Sequence, residues 1–160
     1  MPDMLVKLYD LPDLEPVVRR LSDQGILIRR AMPSEKHLVL AWVRRTFGAG
    51  WASECEVAFS NQPVSCFIAT RSGTILGFCC YESTCRNFFG PMGVAESHRG
   101  QGIGKALTLC SLQAMAQMGY AYAIIGGVGP TDFYAKVAGA KAIEGSSPGI
   151  YRDSLTERAT

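Results

Sequence analysis

The chain passes from a predicted strand into a predicted helix within Gly93-Val94-Ala95-Glu96-Ser97-His98-Arg99-Gly100-Gln101-Gly102-Ile103-Gly104-Lys105-Ala106-Leu107. Glycine occupies alternate positions in the middle of this segment, and no aspartate or glutamate occurs between Ser97 and Thr131. Backbone N–H groups in the first turn of a helix have no intrahelical acceptor, and the helix dipole adds positive potential there. Because glycines also let a ligand approach the backbone closely, the segment predicts an anion-binding site at the start of the helix.

Three glycine-rich phosphate motifs could explain such a site. A P-loop requires glycine at position 99 and serine or threonine at position 106, but the sequence has Arg99 and Ala106 there. The dinucleotide-binding fingerprint requires its third glycine at position 105 or 107, where lysine and leucine stand. The pattern that fits is Arg-x-x-Gly-x-Gly, which is formed by Arg99, Gly102 and Gly104.

Composition narrows the class of protein. The 160 residues suffice for one domain, and a net charge of +2 without a run of lysine or arginine argues against nucleic-acid binding. The apolar runs are too short to span a membrane, and residues 1–9 lack the layout of a signal peptide. Because six cysteines form no Cys-x-x-Cys pair and there are two histidines, we expect reduced thiols, no metal and a cytoplasmic location.

The hydrophobic patterns predict an α+β fold, with a mixed sheet flanked by helices. Residues 1–25 are predicted to be a helical extension, in which Leu14, Val17 and Leu21 have helical spacing and Gly25 ends the helix. Antiparallel strands followed by strand–helix–strand units account for the mixed sheet. The predicted strands span residues 26–30, 64–70, 75–82, 88–94, 120–126, 140–143 and 149–155, and the later predicted helices span 34–47, 52–59, 102–118 and 131–137.

Two motifs resemble those of a known superfamily. The Arg-x-x-Gly-x-Gly pattern at residues 99–104 and Asp-Phe-Tyr-Ala-Lys at residues 132–136, at this spacing, resemble the GNAT superfamily of N-acetyltransferases. The resemblance covers about residues 26–155. It implies a GNAT domain at residues 26–160, preceded by the extension at 1–25, in a chain with a single domain overall. It also implies about seven strands, with the sheet splayed between the fourth and the fifth.

The activity that the resemblance implies is direct transfer of an acetyl group from acetyl-CoA to an amine, without a covalent enzyme intermediate. Acetyl-CoA is the implied co-substrate, and the implied acceptor is a small-molecule or peptide amine, with no role for nucleic acid or membrane. A homodimer is possible. The alternative is a non-catalytic protein of the same fold that binds acyl-CoA for regulation or assembly. A cysteine nucleophile at Cys79 or Cys80 is disfavoured because both lie within an apolar strand.

The resemblance also assigns residues that bind the co-substrate. Backbone groups of Met92 and Val94 would pair with the pantetheine arm as though it were another strand, and Gly93 would permit the bulge that separates the two strands. An asparagine that often contacts pantetheine in the family is replaced by Gly127, so the acceptor side is expected to be wider. The CoA pyrophosphate would be bound by backbone amides of Arg99, Gly100, Gln101, Gly102, Ile103, Gly104 and Lys105.

Two catalytic residues are expected. The resemblance implies that Tyr134 is the general acid, which would protonate the thiolate leaving group. The general base is less apparent, because residues 87–95 contain no acid, and Glu82 at the end of the preceding strand is the best local candidate. A chain of waters is an equal alternative to Glu82, and Glu54, Glu56 and Asp132 are weaker candidates for the base. Trp51, Glu54 and Glu56 are also candidates for the acceptor pocket.

Overall fold

A computed structural model describes residues 1–156, which contain seven strands and five α-helices. No helix within these residues combines the length and the apolar character needed to cross a membrane. The strands are β1 Met4–Lys7, β2 Leu27–Arg30, β3 Cys66–Arg71, β4 Thr74–Tyr81, β5 Phe88–Val94, β6 Tyr122–Ile125 and β7 Lys141–Ala142. The helices are α1 Glu15–Asp23, α2 Lys36–Phe47, α3 Ala49–Ala58, α4 Ile103–Gln117 and α5 Thr131–Ala138.

All seven strands form one sheet, in the order β2-β3-β4-β5-β6-β1-β7. Neighbours from β2 to β5 are antiparallel, β5 and β6 are parallel, and β1 is antiparallel to both β6 and β7. A mixed sheet of seven strands flanked by helices confirms the predicted α+β class and the GNAT fold.

The middle of the sheet is buried on both faces, because helices cover each side. Along β3, Cys66 and Ile68 face one hydrophobic core together with residues of α2 and α3. The alternate residues Phe67 and Ala69 face a second core, to which α1 and α4 contribute. The chain is therefore built in three layers, and α5 packs against α4 in the outer layer of the second core.

The sheet splays between β5 and β6, the fourth and fifth strands of the prediction. These strands pair only where Phe88 and Phe89 face Ile124 and Ile125, after which β6 ends while β5 continues to Val94. The predicted splay is confirmed.

The bulge in β5 does not lie at Gly93, where it was predicted. Gly93 stays in register with Phe78, and the extra residue of β5 falls between Phe89 and Met92. Glycine is needed at position 93 for a different reason: a Cβ there would collide with the ring of Phe47 from α2.

Residues 1–25 contain the predicted helix, α1, but they are not a purely helical extension. Met4–Lys7 forms β1, which lies inside the sheet between β6 and β7. Met4 and Val6 are buried whereas Leu5 and Lys7 are exposed, as expected for a strand with one covered face. This strand was not predicted, because an alternation of buried and exposed residues over four positions is too short to indicate a strand.

The predicted C-terminal hairpin is wrong in its second half. Lys141–Ala142 forms β7 and pairs with β1, but residues 149–155 do not form a strand. Gly149–Tyr151 forms a 3-10 turn instead. A strand at residues 149–155 could have joined the sheet along the outer edge of β6. That edge is already paired with β1. Residues 157–160, which were assigned to the same domain, lie outside the described residues.

Candidate functional site

A cleft of about 1250 Å³ opens where β5 and β6 separate. The strand β5 runs along it, with the glycine-rich turn at its carboxyl end and α5 beside it. The structure brings most of the sequence-predicted residues together here. Those that line the cleft are Met92, Val94, Arg99, Gly100, Gly102, Ile103, Gly104, Lys105, Trp51, Glu54 and Tyr134.

The backbone of β5 offers an unpaired edge to the cleft. The N–H of Ala95 points towards β4 and donates to the carbonyl of Leu76 at 2.9 Å. Because backbone polar groups alternate in direction along a strand, those of Met92 and Val94 point the other way, into the splay. The Val94 carbonyl accepts a hydrogen bond from Nε of Arg99 at 3.2 Å. An extended polar ligand could therefore pair with β5 as an added strand.

The turn after β5 is arranged to bind an anion. Gly102 is the N-cap of α4 and has φ +89, in the left-handed region that favours glycine. The first turn of α4 contains no acidic residue, so nothing on the helix itself neutralises its positive end. Exposed Lys105 and the neighbouring Arg99 add cationic side chains that line the cleft.

A further cation, Arg20, reaches this turn from α1. Its guanidinium lies over Gly102 so closely that a Cβ at position 102 would collide with it. Arg20 also lines the cleft, whereas Arg19 is paired with Glu15 on the surface and does not. Arg20 was not predicted as a site residue, because Arg19 and Arg20 both have the pattern of a solvated helix face. The placement of α1 against α4 is what distinguishes them.

Tyr134 on α5 lies at the fork between β5 and β6. Its ring makes an edge contact with Phe89, the last residue of β5 that pairs with β6, at a centroid distance of 5.7 Å. Tyr134 is only 6% exposed, and burial raises the pKa of its phenol well above the ordinary value. The hydroxyl is therefore protonated at neutral pH and can donate a hydrogen bond.

The end of the cleft next to α3 carries a carboxylate and aromatic rings. Glu54 on α3 accepts a hydrogen bond from Oγ1 of Thr84 at 2.7 Å. Trp51, one helical turn earlier, packs its ring 5.1 Å from that of Phe47. Tyr151, from the 3-10 turn at Gly149–Tyr151, also lines this end of the cleft. Burial and the nearby Glu54 carboxylate raise the pKa of Tyr151 to about 12.

Residues from the N-terminus close this end of the cleft. The carboxylate of Asp3 accepts a hydrogen bond from the backbone N–H of Gly127 at 2.8 Å, and the Pro2 carbonyl accepts one from Val128 at 2.9 Å. The expected widening at Gly127 does not occur, because the ring of Tyr151 occupies the space. A Cβ at position 127 would lie 3.3 Å from that ring.

Several predicted candidates lie outside the cleft lining. Glu82 accepts hydrogen bonds from the backbone N–H of Asn87 and from the hydroxyl of Tyr120, so its carboxylate stabilises the β4–β5 turn. Glu56 forms a surface ion pair with Lys36 at 2.9 Å. Gln101 and Asp132 also lie outside the lining. Of the carboxylates considered for the base, the cleft contains Glu54 alone.

The cysteines are free thiols and do not face the cleft. Burial raises the pKa of Cys79 and Cys80, so neither offers a thiolate nucleophile at neutral pH. The sulfurs of Cys55, Cys66 and Cys80 lie within 4.8 Å of one another, in the core beneath α3. Such a group could hold a soft metal ion, so the expected absence of a metal stays a prediction.

Comparison with known proteins agrees with this geometry. Residues 62–137 match the family model described as an acetyltransferase (GNAT) domain. A glucosamine N-acetyltransferase region in a fungal multi-domain β-N-acetylglucosaminidase has a similar structure, with a TM-score of 0.72 and 20% identity over 89% of this chain. An N-acetyltransferase from Sphaerobacter thermophilus has a TM-score of 0.68 and 20% identity over 89% of this chain. One from Kribbella flavida has a TM-score of 0.59 and 16% identity over 88% of this chain.

These likenesses are of fold, because the identities are low. The chain spans 19% of the fungal protein and 48% and 53% of the Sphaerobacter and Kribbella proteins. No curated protein matches the sequence.

Proposed function

Because residues 62–137 match a GNAT acetyltransferase domain and the fold is that of GNAT acetyltransferases, we propose that the chain is an N-acetyltransferase that moves an acetyl group directly from acetyl-CoA to a bound amine. One observation supports this most strongly: Tyr134 lies at the fork of the sheet, between a cationic glycine turn on one side and the Glu54 carboxylate on the other. A thioester donor and an amine acceptor would enter from opposite ends and meet beside the phenol.

The residues of the turn would hold the pyrophosphate of the donor. Backbone N–H groups at the start of α4 supply hydrogen bonds, and Arg20, Arg99 and Lys105 supply positive charge. The unpaired edge of β5 at Met92 and Val94 would bind the amide groups of the pantetheine arm and direct it towards the fork.

The reaction requires proton transfers at the amine nitrogen, the Tyr134 oxygen and the thioester sulfur. The acceptor, an ammonium ion in water, gives one proton to Glu54, directly or through water, and its nitrogen attacks the thioester carbonyl carbon. A backbone N–H of β5 near Val94 donates to the resulting oxyanion. The nitrogen loses its second proton as the C–S bond breaks and Tyr134 donates its proton to the sulfur. That second proton restores the phenol, so an amide, the CoA thiol and one proton are released.

In this scheme Glu54 takes the role that the sequence analysis gave to Glu82. Glu54 lines the cleft, whereas the Glu82 carboxylate is engaged in the β4–β5 turn. An acid in the cleft together with a buried phenol at the fork also favours catalysis over the non-catalytic alternative, which would need neither group.

Two measurements test the proposal. At about 100 times its Kd, acetyl-CoA should stabilise the folded protein by about 2.7 kcal/mol, seen as a rise in Tm. Release of free CoA should then be followed over a panel of amines, including glucosamine because the fungal region is described as acting on it. An unchanged Tm at millimolar acetyl-CoA would contradict the proposal. Binding without CoA release for every amine would favour the non-catalytic alternative.

Tyr134→Phe separates chemistry from binding. This variant keeps the ring that packs on Phe89 and removes the hydroxyl, so folding and acetyl-CoA binding should survive. We expect kcat to fall about 10²- to 10⁴-fold, with the KM for acetyl-CoA little changed. If single-turnover kinetics show an unchanged chemical step, Tyr134 is an aromatic anchor and the acid lies elsewhere.

A further inference from the structure

The charges that line the cleft are divided between its two ends. Among the described residues that line it, the one acidic side chain is that of Glu54. The cationic end is formed by α1, the turn after β5 and the nearby α5, whereas Glu54 belongs to α3. The basic side chains that line the cleft are Arg20, His98, Arg99, Lys105 and Lys136.

The two ends lie on opposite faces of the sheet. The helix α3, which carries Glu54, packs on the face of Cys66 and Phe78, whereas α4, which follows the glycine turn, packs on the other face. Trp51, one helical turn before Glu54, packs on Phe47, whose ring covers Gly93 of β5.

The acidic end is lined by rings and small residues. Trp51 and Tyr151 are partly exposed, and the ring of Tyr151 packs directly against Gly126 and Gly127. No lysine or arginine side chain of the described residues belongs to this end. The other charge there, the α-amino group of Met1, donates to Oγ of Ser147 at 3.3 Å.

From this division of charge, and on the basis of the acetyltransferase function proposed above, we infer the class of acceptor. The acceptor is a primary amine on an uncharged, ring-shaped body, and it binds as an ammonium ion at Glu54. Amines that also carry a carboxylate or a phosphate are excluded.

Each part of this acceptor has a partner at the acidic end. The ammonium pairs with Glu54, whose carboxylate is already held by Thr84, and it can also donate to the hydroxyl of Tyr151. The ring lies against the indole of Trp51, since the faces of aromatic rings bind both apolar rings and the C–H faces of sugars. An anionic group on the acceptor finds no lysine or arginine here and is repelled by Glu54, while the α-amino group of Met1 is engaged with Ser147.

Matched pairs of amines test whether acceptors that carry an anionic group are excluded. One pair is glucosamine and glucosamine 6-phosphate, and the other is 2-phenylethylamine and phenylalanine. Within each pair the ring and the amine are shared, and the second member adds one anionic group. With acetyl-CoA as donor and CoA release as the readout, the neutral-bodied member should have at least about tenfold higher kcat/KM. The two pairs also distinguish a sugar from an aromatic body.

The substitution Glu54→Gln tests whether the Glu54 carboxylate binds the acceptor amine. It should lower kcat/KM for the accepted amine at least about 100-fold, while the Tm shift produced by acetyl-CoA is unchanged. Glu56→Gln is the matched control, because Glu56 lies two residues along the same helix and pairs with Lys36 on the surface. The control should keep the activity of the unaltered protein.

The outcomes separate this inference from the function on which it rests. Equal turnover within both pairs, or full activity of Glu54→Gln, overturns the acceptor class and leaves an acetyltransferase. Absence of acetyl-CoA binding, or of CoA release with every amine, overturns the acetyltransferase function and the acceptor class with it.

Discussion

Gly102 combines two constraints at one residue, a left-handed backbone and the guanidinium of Arg20 above it. Gly102→Ala should therefore cost about 1–2 kcal/mol of stability from backbone strain and should also displace Arg20 from the turn. We expect the stabilisation by acetyl-CoA to be largely lost, as measured by the Tm shift.

Gly119 provides the matched control for this change. It follows the other end of α4 and has φ +99, and a Cβ added to it would point into open space. Gly119→Ala should carry the same strain but keep the full Tm shift with acetyl-CoA. Equal Tm shifts in both variants would show that the turn does not bind the ligand.

Arg20 and Arg19 are adjacent residues with different surroundings. Arg20→Ala should weaken acetyl-CoA binding about five- to tenfold, because a cation beside the pyrophosphate is removed. Arg19→Ala should leave the Kd unchanged, since Arg19 pairs with Glu15 away from the cleft. Isothermal titration at low and high salt measures both effects, and the difference should shrink as salt rises. Equal effects of the two substitutions would indicate a general charge effect instead of a contact.

Among the elements, β1 is the least expected and the most informative. Met4 is 2% exposed in the core and Leu5, on the other face, is 36% exposed. Met4→Ala should therefore cost about 2–5 kcal/mol, whereas Leu5→Ala should cost less than about 1 kcal/mol. Urea denaturation gives both values. If the two substitutions have the same small effect, β1 contributes little to the stability of the sheet.

The helix α3 connects the core to the cleft. Ala52, Cys55 and Ala58 are buried against the sheet, while Trp51 and Glu54 face the cleft. A helix with a rigid apolar base holds its remaining side chains in fixed directions, which suits a residue that must position an acceptor.

Across the whole molecule, the two cores determine which thiols can react. Cys85 is exposed, Cys110 is half-buried and the other four cysteines are buried. In the native protein, a thiol reagent should modify Cys85 rapidly, Cys110 slowly and the remaining four at the rate of unfolding. Cys85→Ser should abolish the fast phase. Rapid modification of four or more thiols in the native protein would contradict this arrangement of the cores.

The strand at residues 88–94, the glycine turn, α4 and the Phe-Tyr pair of α5 can all be predicted from the amino-acid sequence. These features are readable because each depends on neighbouring residues: strand and helix periodicity, glycine at a helix start and the absence of acid in one segment. The anion site needs backbone N–H groups of a single turn, so its chemistry is contained within a short stretch of chain.

The rest of the site depends on contacts between residues that are far apart in the sequence. Asp3 and Gly127 are 124 positions apart, yet they form one hydrogen bond at the acceptor end. Tyr151 and Arg20 also reach the cleft from opposite ends of the chain, and Glu54 is distinguished from Glu56 and Glu82 by what each carboxylate contacts. Such contacts depend on how the layers pack and on which edge of β6 is paired. No local sequence pattern predicts them, because residues of the same type cannot be distinguished in the sequence by the contacts that they make in the fold.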